Sequence, residues 1–458
     1  VATPQTQSVR LARVLGPFEA FSLVVSAVLG SSIFIVPATV AGDVPFLAGI
    51  VGVWIAGGVF SLMGALTYAE LGAMLPEAGG GYVYLEEAFG PAWSFLFVWT
   101  DFLLVRAGAA AAISVGFGAY AATLFPLPPA VYAIALILFI GLLNVLGTKL
   151  SGMVQVLGTV FKAGAILLVI ALPWLYFSRV HTDYLRPVLP PLGTAGVGKA
   201  FMAALVPVLW SFGGWDQLSH MAEEVRNPEK NIARAFGFGL VAVSLLFAGA
   251  AVSYQLIFPI GRVAHSQAIA SDFFRVFWGP SGAVVIAAIV LFSALTSAHM
   301  ALMSGSRSCF AIGRAGLFPA WTGRLHPRFG TPANSVIALT AWACLLVGGN
   351  ALYPSASRPL YVVLFTYVMV GLLLFSSLVF AAAIRLRVTH PEWKRPYRVS
   401  GYPFTPAISI VVSLGLLVSM LADSTAEACT GLAIILAGYP VYVYSKNGLR
   451  HSKNRVRA

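Results

Sequence analysis

Charge is what this chain has least of: Asp, Glu, Lys and Arg together make up 10% of its 458 residues, while 59% are hydrophobic. A soluble chain of this length carries about a quarter of its residues as charges, so two or three water-soluble domains are excluded. Cysteine is scarce as well. Cys309, Cys344 and Cys429 all fall in or beside apolar stretches, where a structural disulfide is not expected. The H-E-x-x-H, G-x-S-x-G and G-x-x-x-x-G-K-[ST] signatures are missing, which argues against metalloprotease, serine hydrolase and nucleotide-hydrolysing chemistry. There is also no carbonyl-filter repeat or pore-lining ring of charge, which argues against a passive channel. No metal or cofactor is expected.

Long apolar runs take the place of charge. A membrane-crossing helix needs about 20 consecutive apolar residues. Twelve such stretches can be marked, at 18–40, 46–75, 92–125, 130–146, 154–177, 197–221, 232–258, 283–312, 335–349, 360–384, 405–421 and 426–444. The first is too long for a signal-peptide core and has no clear small-residue cleavage site, so it reads as a retained helix. An even number of spans puts both termini on one side, and twenty of the 28 Lys and Arg residues fall on that side. By the positive-inside rule that side is cytoplasmic. The net charge of +12 is therefore a sign of topology and does not point to a nucleic-acid partner. The expectation is a multi-pass protein of the plasma membrane with both termini cytoplasmic.

Two stretches are interrupted by small residues, the first at Leu29-Gly30-Ser31-Ser32-Ile33 and the sixth at Trp210-Ser211-Phe212-Gly213-Gly214-Trp215. Unwound backbone in hydrocarbon leaves N–H and C=O groups unpaired at several kcal/mol each, so it is tolerated only inside protein or beside a cavity. Breaks at matching positions of two halves are the best sequence-level pointer to a transporter's substrate site. Each break opens a set of five helices, an odd number, so the second set must be inverted relative to the first. The expected organisation is an N-terminal tail (1–14), a first repeat (15–178), a second repeat (197–386), two further helices (404–445) and a basic, irregular tail (446–458). Asn231 is a possible N-cap for the seventh helix.

Several motifs occur in a specific order: Gly30-Ser31-Ser32-Ile33-Phe34 with Pro37, Tyr68-Ala69-Glu70-Leu71-Gly72, Gly213-Gly214-Trp215-Asp216 with Glu223-Glu224-Val225-Arg226-Asn227-Pro228, Ser306-Arg307, and Arg395-Pro396-Tyr397. In these the chain resembles the amino acid-polyamine-organocation superfamily, and within it the L-type amino acid transporter branch, from about residue 15 to about residue 406. The resemblance implies an all-helical fold of about twelve spans, a five-plus-five inverted repeat with broken helices 1 and 6, and alternating-access movement of amino acids. It also implies residue roles. Backbone N–H groups of Gly30, Ser31, Ser32 and Ile33 would receive the substrate carboxylate, and the carbonyls of Val28, Trp210 and Gly213 its ammonium. Trp210 would close over the substrate as a gate, and Ser211, Trp215 and Asp216 would border its side chain. The family usually has glycine where this chain has Ser32. Either the backbone there suits serine, or the hydroxyl replaces a backbone contact.

Charges at membrane depth are expensive and usually functional. Lys162 lies about 12 Å into helix 5. It either snorkels to the headgroups or, as the resemblance implies, stands against broken helix 1 where a relative holds sodium, which makes transport sodium-independent. Asp216 either selects a cationic side chain or caps the second half of helix 6. Arg106 is read as structural, bonded to backbone carbonyls, and His299 as either a proton site or a hydrogen-bonded structural histidine. Glu70, Glu223, Glu224 and Arg307 approach the cytoplasmic ends of their helices, as solvated ends or as an inner gate. Exchange of neutral, or also cationic, L-amino acids is the leading reading, with proton symport and polyamine antiport as alternatives. Heteromeric relatives use a cysteine in the loop between helices 3 and 4. This chain's 126–129 has none, so no disulfide-linked partner is expected.

Overall fold

A computed structural model describes residues 10–122, 127–190, 196–266, 268–352, 360–423 and 425–457. Pro126 of the loop between helices 3 and 4 therefore lies outside the described residues. Among the described residues the fold is all-helical, with one extended pairing, an isolated parallel bridge between Leu15 and Val225. The first apolar stretch divides into α1 (Pro17–Val28), a 3-10 turn (Ser31–Phe34) and α2 (Val36–Asp43). It is followed by α3 (Leu47–Met74), α4 (Gly81–Phe89), α5 (Pro91–Thr100), a π-helical turn (Asp101–Arg106), α6 (Ala107–Ala121), α7 (Pro129–Leu146) and α8 (Thr148–Leu175).

The second broken stretch gives α9 (Val197–Ser211), turns over 212–216, α10 (Gln217–His220) and a 3-10 turn (Ala222–Glu224). Then come α11 (Pro228–Ile257), α12 (Ile260–Ala264), α13 (Ile269–Trp278), α14 (Pro280–Arg314), α15 (Ala333–Leu352), α16 (Leu360–Thr389), α17 (Phe404–Asp423) and α18 (Thr425–Arg457). Nine helices among the described residues are long and apolar enough to cross a membrane, and three shorter apolar ones are Pro17–Val28, Val197–Ser211 and Ala333–Gly349.

Four features differ from the sequence reading. The third stretch is not one regular helix but changes to π geometry at Asp101–Arg106. Helix α8 starts at Thr148 instead of 154, because its first turn is polar and hydropathy under-reads helix ends. Asn227, with φ 46°, precedes α11 as its cap and Pro228 follows in the first turn, whereas the Asn231 side chain donates back to the Arg226 carbonyl. The chain after Ser445 continues as helix to Arg457 instead of becoming irregular.

Packing explains how the breaks are held. Helix α1 lies against α8, α11 and α14, while α1 also meets α10 and α2 meets α9, so the two broken helices run beside each other in opposite order. Phe212, fully buried at the second break, wedges between Trp54 and Phe247, with ring centroids 6.3 and 5.2 Å away. Burying a ring of this size contributes roughly 1.5–3 kcal/mol, which anchors the end of α9 to α3 and α11.

Candidate functional site

The two breaks face one cavity of about 170 Å³. Val28, Gly30 and Ser32 line it from the first break, and Trp210, Ser211, Gly213, Gly214 and Asp216 from the second. Arg106 and Ile113, Ser293 and Ser297, and Val368 and Leu372 close its sides. Ile33 is fully buried and does not line it. Trp215 is turned away: its ring packs edge-on to Tyr68 at 5.1 Å and Phe236 at 6.1 Å, and it lines a second cavity of about 120 Å³. Trp210 borders both cavities and is 38% exposed.

At the first break Leu29 adopts φ −67° and ψ 82°, close to an inverse γ-turn. Gly30 N–H therefore donates to the Val28 carbonyl at 2.7 Å. This donor and this acceptor, both expected to face a ligand, are bonded to each other, although a carbonyl keeps a second lone pair. The following N–H groups, from Ser31 and Ser32, precede the first i→i+3 bond of the 3-10 turn and have no partner within it, whereas Ile33 N–H falls opposite the Gly30 carbonyl. Ser32 is not in the left-handed region, since Asn227 is the only non-glycine residue with positive φ among the described residues. The backbone there is compatible with serine. At the second break Gly213 N–H donates to the Trp210 carbonyl at 2.9 Å. Gly214 has φ +96°, and a Cβ there would sit 2.9 Å from the Ala27 carbonyl oxygen.

Asp216 does not cap the second half of helix 6. Its side chain makes no capping bond to α10; it pairs with Arg106. Arg106 bonds carboxylates where backbone carbonyls were expected. Its Nε donates to Asp101 Oδ1 at 2.9 Å, and one terminal nitrogen reaches both Asp216 Oδ2 and His220 Nε2, the latter at 2.9 Å. A guanidinium only donates, so His220 accepts at Nε2 and donates from Nδ1 to Ser308 Oγ at 2.6 Å. All four charged or polar side chains are at least nine-tenths buried. The π turn makes this possible, because it brings residues five apart onto one face, and Gly305 on α14 leaves the room: a Cβ there would lie 2.6 Å from Arg106 Cβ. Sequence reasoning named Arg106 and Asp216 separately but missed Asp101 and His220 as their partners. Their burial depth was the only available signal.

Lys162, 3% exposed, does not snorkel. Its Nζ donates to the Ser26 carbonyl at 2.8 Å and to Ser297 Oγ at 2.9 Å. The ammonium thus stands at the negative end of α1, where the last carbonyls lack helical partners. His299 is buried and hydrogen-bonded, Nδ1 to Gln155 Nε2 at 2.7 Å. Among the described residues no cluster of three or more His, Cys, Asp or Glu is arranged to hold a metal ion.

Three ion pairs gather at the end of the bundle that carries the N-terminal strap. Glu223 is bidentate to Arg314 at 3.1 Å and accepts from Leu11 N–H and Ala78 N–H. Glu224 is bidentate to buried Arg307, at 2.8 and 3.3 Å. Glu70 is bidentate to Arg387 and accepts from Val399 N–H. The strap itself is pinned by Leu15 N–H to the Glu224 carbonyl at 2.9 Å and Arg226 N–H to the Leu15 carbonyl at 2.7 Å. Glu70, Glu223, Glu224 and Arg307 are buried and paired and are not solvated helix ends.

Sequence comparison adds to this geometry. The chain is 28% identical over 456 residues to the b(0,+)-type amino acid transporter 1 of Mus musculus, covering 97% of this chain and 91% of that protein. It is 29% identical over 451 residues to the serine/threonine exchanger SteT of Bacillus subtilis (strain 168), covering 95% and 98%. It is 27% identical over 446 residues to the cystine/glutamate transporter of Homo sapiens, covering 96% and 86%. Residues 15–442 match the family model described as amino acid permease, and with broken helices, a cavity between them and near-full-length relatives in agreement, the chain belongs to the amino acid permease family.

Proposed function

We propose that this protein exchanges neutral L-amino acids across the plasma membrane by alternating access, without sodium, and that the cavity between the two breaks is its substrate site. The observation that carries this reading is the polarity of the cavity floor: the first N–H groups of the 3-10 turn on one side, and the carbonyls of Trp210 and Gly213 near the other. Such a pair of opposite ends suits a zwitterion, with the carboxylate at the N–H groups of Ser31 and Ser32 and the ammonium at the carbonyls of Val28, Trp210 and Gly213. Lys162 supplies a fixed cation beneath the first break, where a coupling sodium would otherwise offset the α1 carbonyls. The antiparallel contact of the two broken helices supports a five-plus-five inverted repeat, residues 15–178 and 197–386, with helices at 404–445 outside it. The positive-inside count supports twelve spans with both termini cytoplasmic. Trp210, at the junction of both cavities, is the gate of this scheme.

The purified protein in proteoliposomes tests the reading. Uptake of a labelled neutral amino acid is expected to be at least tenfold faster into vesicles loaded with unlabelled amino acid than into empty ones, and unchanged when choline replaces sodium. Equal uptake into loaded and empty vesicles overturns exchange, and a sodium requirement overturns the role given to Lys162.

A further inference from the structure

We propose that Arg106 sets the charge selectivity of the cavity: by holding Asp216 it bars amino acids with cationic side chains, and its removal opens the site to them. This rests on the reading of the cavity as the substrate site and names the class of side chain it accepts. Asp216 by itself is a carboxylate on a cavity wall, the residue type that recruits lysine or arginine. Its Oδ2 is instead occupied by the guanidinium of Arg106, which also lines the cavity. An incoming ammonium would meet a carboxylate whose charge a guanidinium already offsets, and would have to displace that guanidinium to pair with it.

The geometry holds the guanidinium in place from three directions. Asp101 grips Nε from the π turn, Asp216 and His220 share a terminal nitrogen, and α14 presses on the arginine stem at Gly305. Asp101 does not line the main cavity; it faces a small gap of about 10 Å³ behind the pair, which Arg106 and Asp216 also line. One arginine thus joins a carboxylate of the cavity wall to a second one behind it. Without it both carboxylates would be buried unpaired, and a cationic side chain entering the cavity would supply the missing partner.

Counterflow in proteoliposomes loaded with alanine decides the matter. In the wild-type protein, external lysine is expected to drive efflux at less than a tenth of the rate given by external alanine. Arg106→Gln is expected to raise the apparent affinity for lysine at least tenfold, Arg106→Gln with Asp216→Asn to lose that gain, and Arg106→Lys, which keeps the cation, to leave lysine excluded. Wild-type protein that exchanges lysine as readily as alanine overturns the proposal whatever the fate of the variants. So does an Arg106→Gln protein that binds alanine and still ignores lysine. Absence of any amino acid exchange in the wild type would instead sink the proposed function, which keeps the two failures distinct.

Discussion

Lys162 shows how one residue can hold a break together. Its ammonium covers the Ser26 carbonyl and reaches across to Ser297, so it ties α1 to α14 at the place where α1 runs out of helical donors. In Lys162→Ala the carbonyl is left buried and unpaired, at a cost of about 1–3 kcal/mol. Exchange is expected to fall more than tenfold while equilibrium binding of a labelled substrate, measured by scintillation proximity, stays within about threefold. An unchanged exchange rate would remove Lys162 from the coupling machinery. Its depth was readable from its position in an apolar stretch, but its partners were not: they sit on helices 136 and 135 residues away in sequence, and no local pattern encodes such a meeting. The same applies to Arg106, whose carboxylate partners were read as backbone carbonyls because a single buried arginine gives no sign of what it faces.

Elements were legible in proportion to how local their causes are. Both breaks could be marked because Gly-Ser-Ser and Gly-Gly disfavour continuous helix within a few residues. The π turn at Asp101–Arg106 carries no glycine or proline. At 3.6 residues per turn its ends lie about 140° apart, so their ion pair makes sense only once the turn is known to be wide. Short α4, α12 and α13 escaped because hydropathy detects spans, not interfacial helices. The second break yields a test at this scale. Gly214 combines φ +96° with an approach to the Ala27 carbonyl that a Cβ would narrow to 2.9 Å, so alanine there meets both backbone strain and a neighbour that cannot yield without moving α1. The backbone term alone is about 1–2 kcal/mol. Gly214→Ala is expected to lower the melting temperature in detergent and to weaken apparent substrate affinity about tenfold or more. Affinity equal to wild type would mean that the two breaks do not need to touch.

Across the whole molecule the cavity and the ion pairs lie on opposite sides of the breaks. From the breaks, the cavity extends along α6 to Ile113, away from the end where α3, α14 and α16 carry Glu70, Arg307 and Arg387. The structure is closed at the strap end, and alternating access demands that this closure open. Opening there must separate Glu223 from Arg314 and release Leu11 and Ala78 from the same carboxylate. Glu223→Gln keeps the side chain's shape but removes its charge from the pair, weakening only the closed state. Bonds to a charged group contribute about 1.5–3 kcal/mol, and each 1.4 kcal/mol is a factor of ten in population. A spin-label pair at exposed Arg13 on the strap and exposed Arg328 in the 327–329 turn reads the change by pulsed electron resonance. The variant is expected to show a longer-distance population at least tenfold more abundant than in the wild type, and added external substrate should move it further. A distance distribution identical to the wild type, with folding intact, would mean that the strap and its ion pairs stay closed throughout the cycle and that the inner gate lies elsewhere.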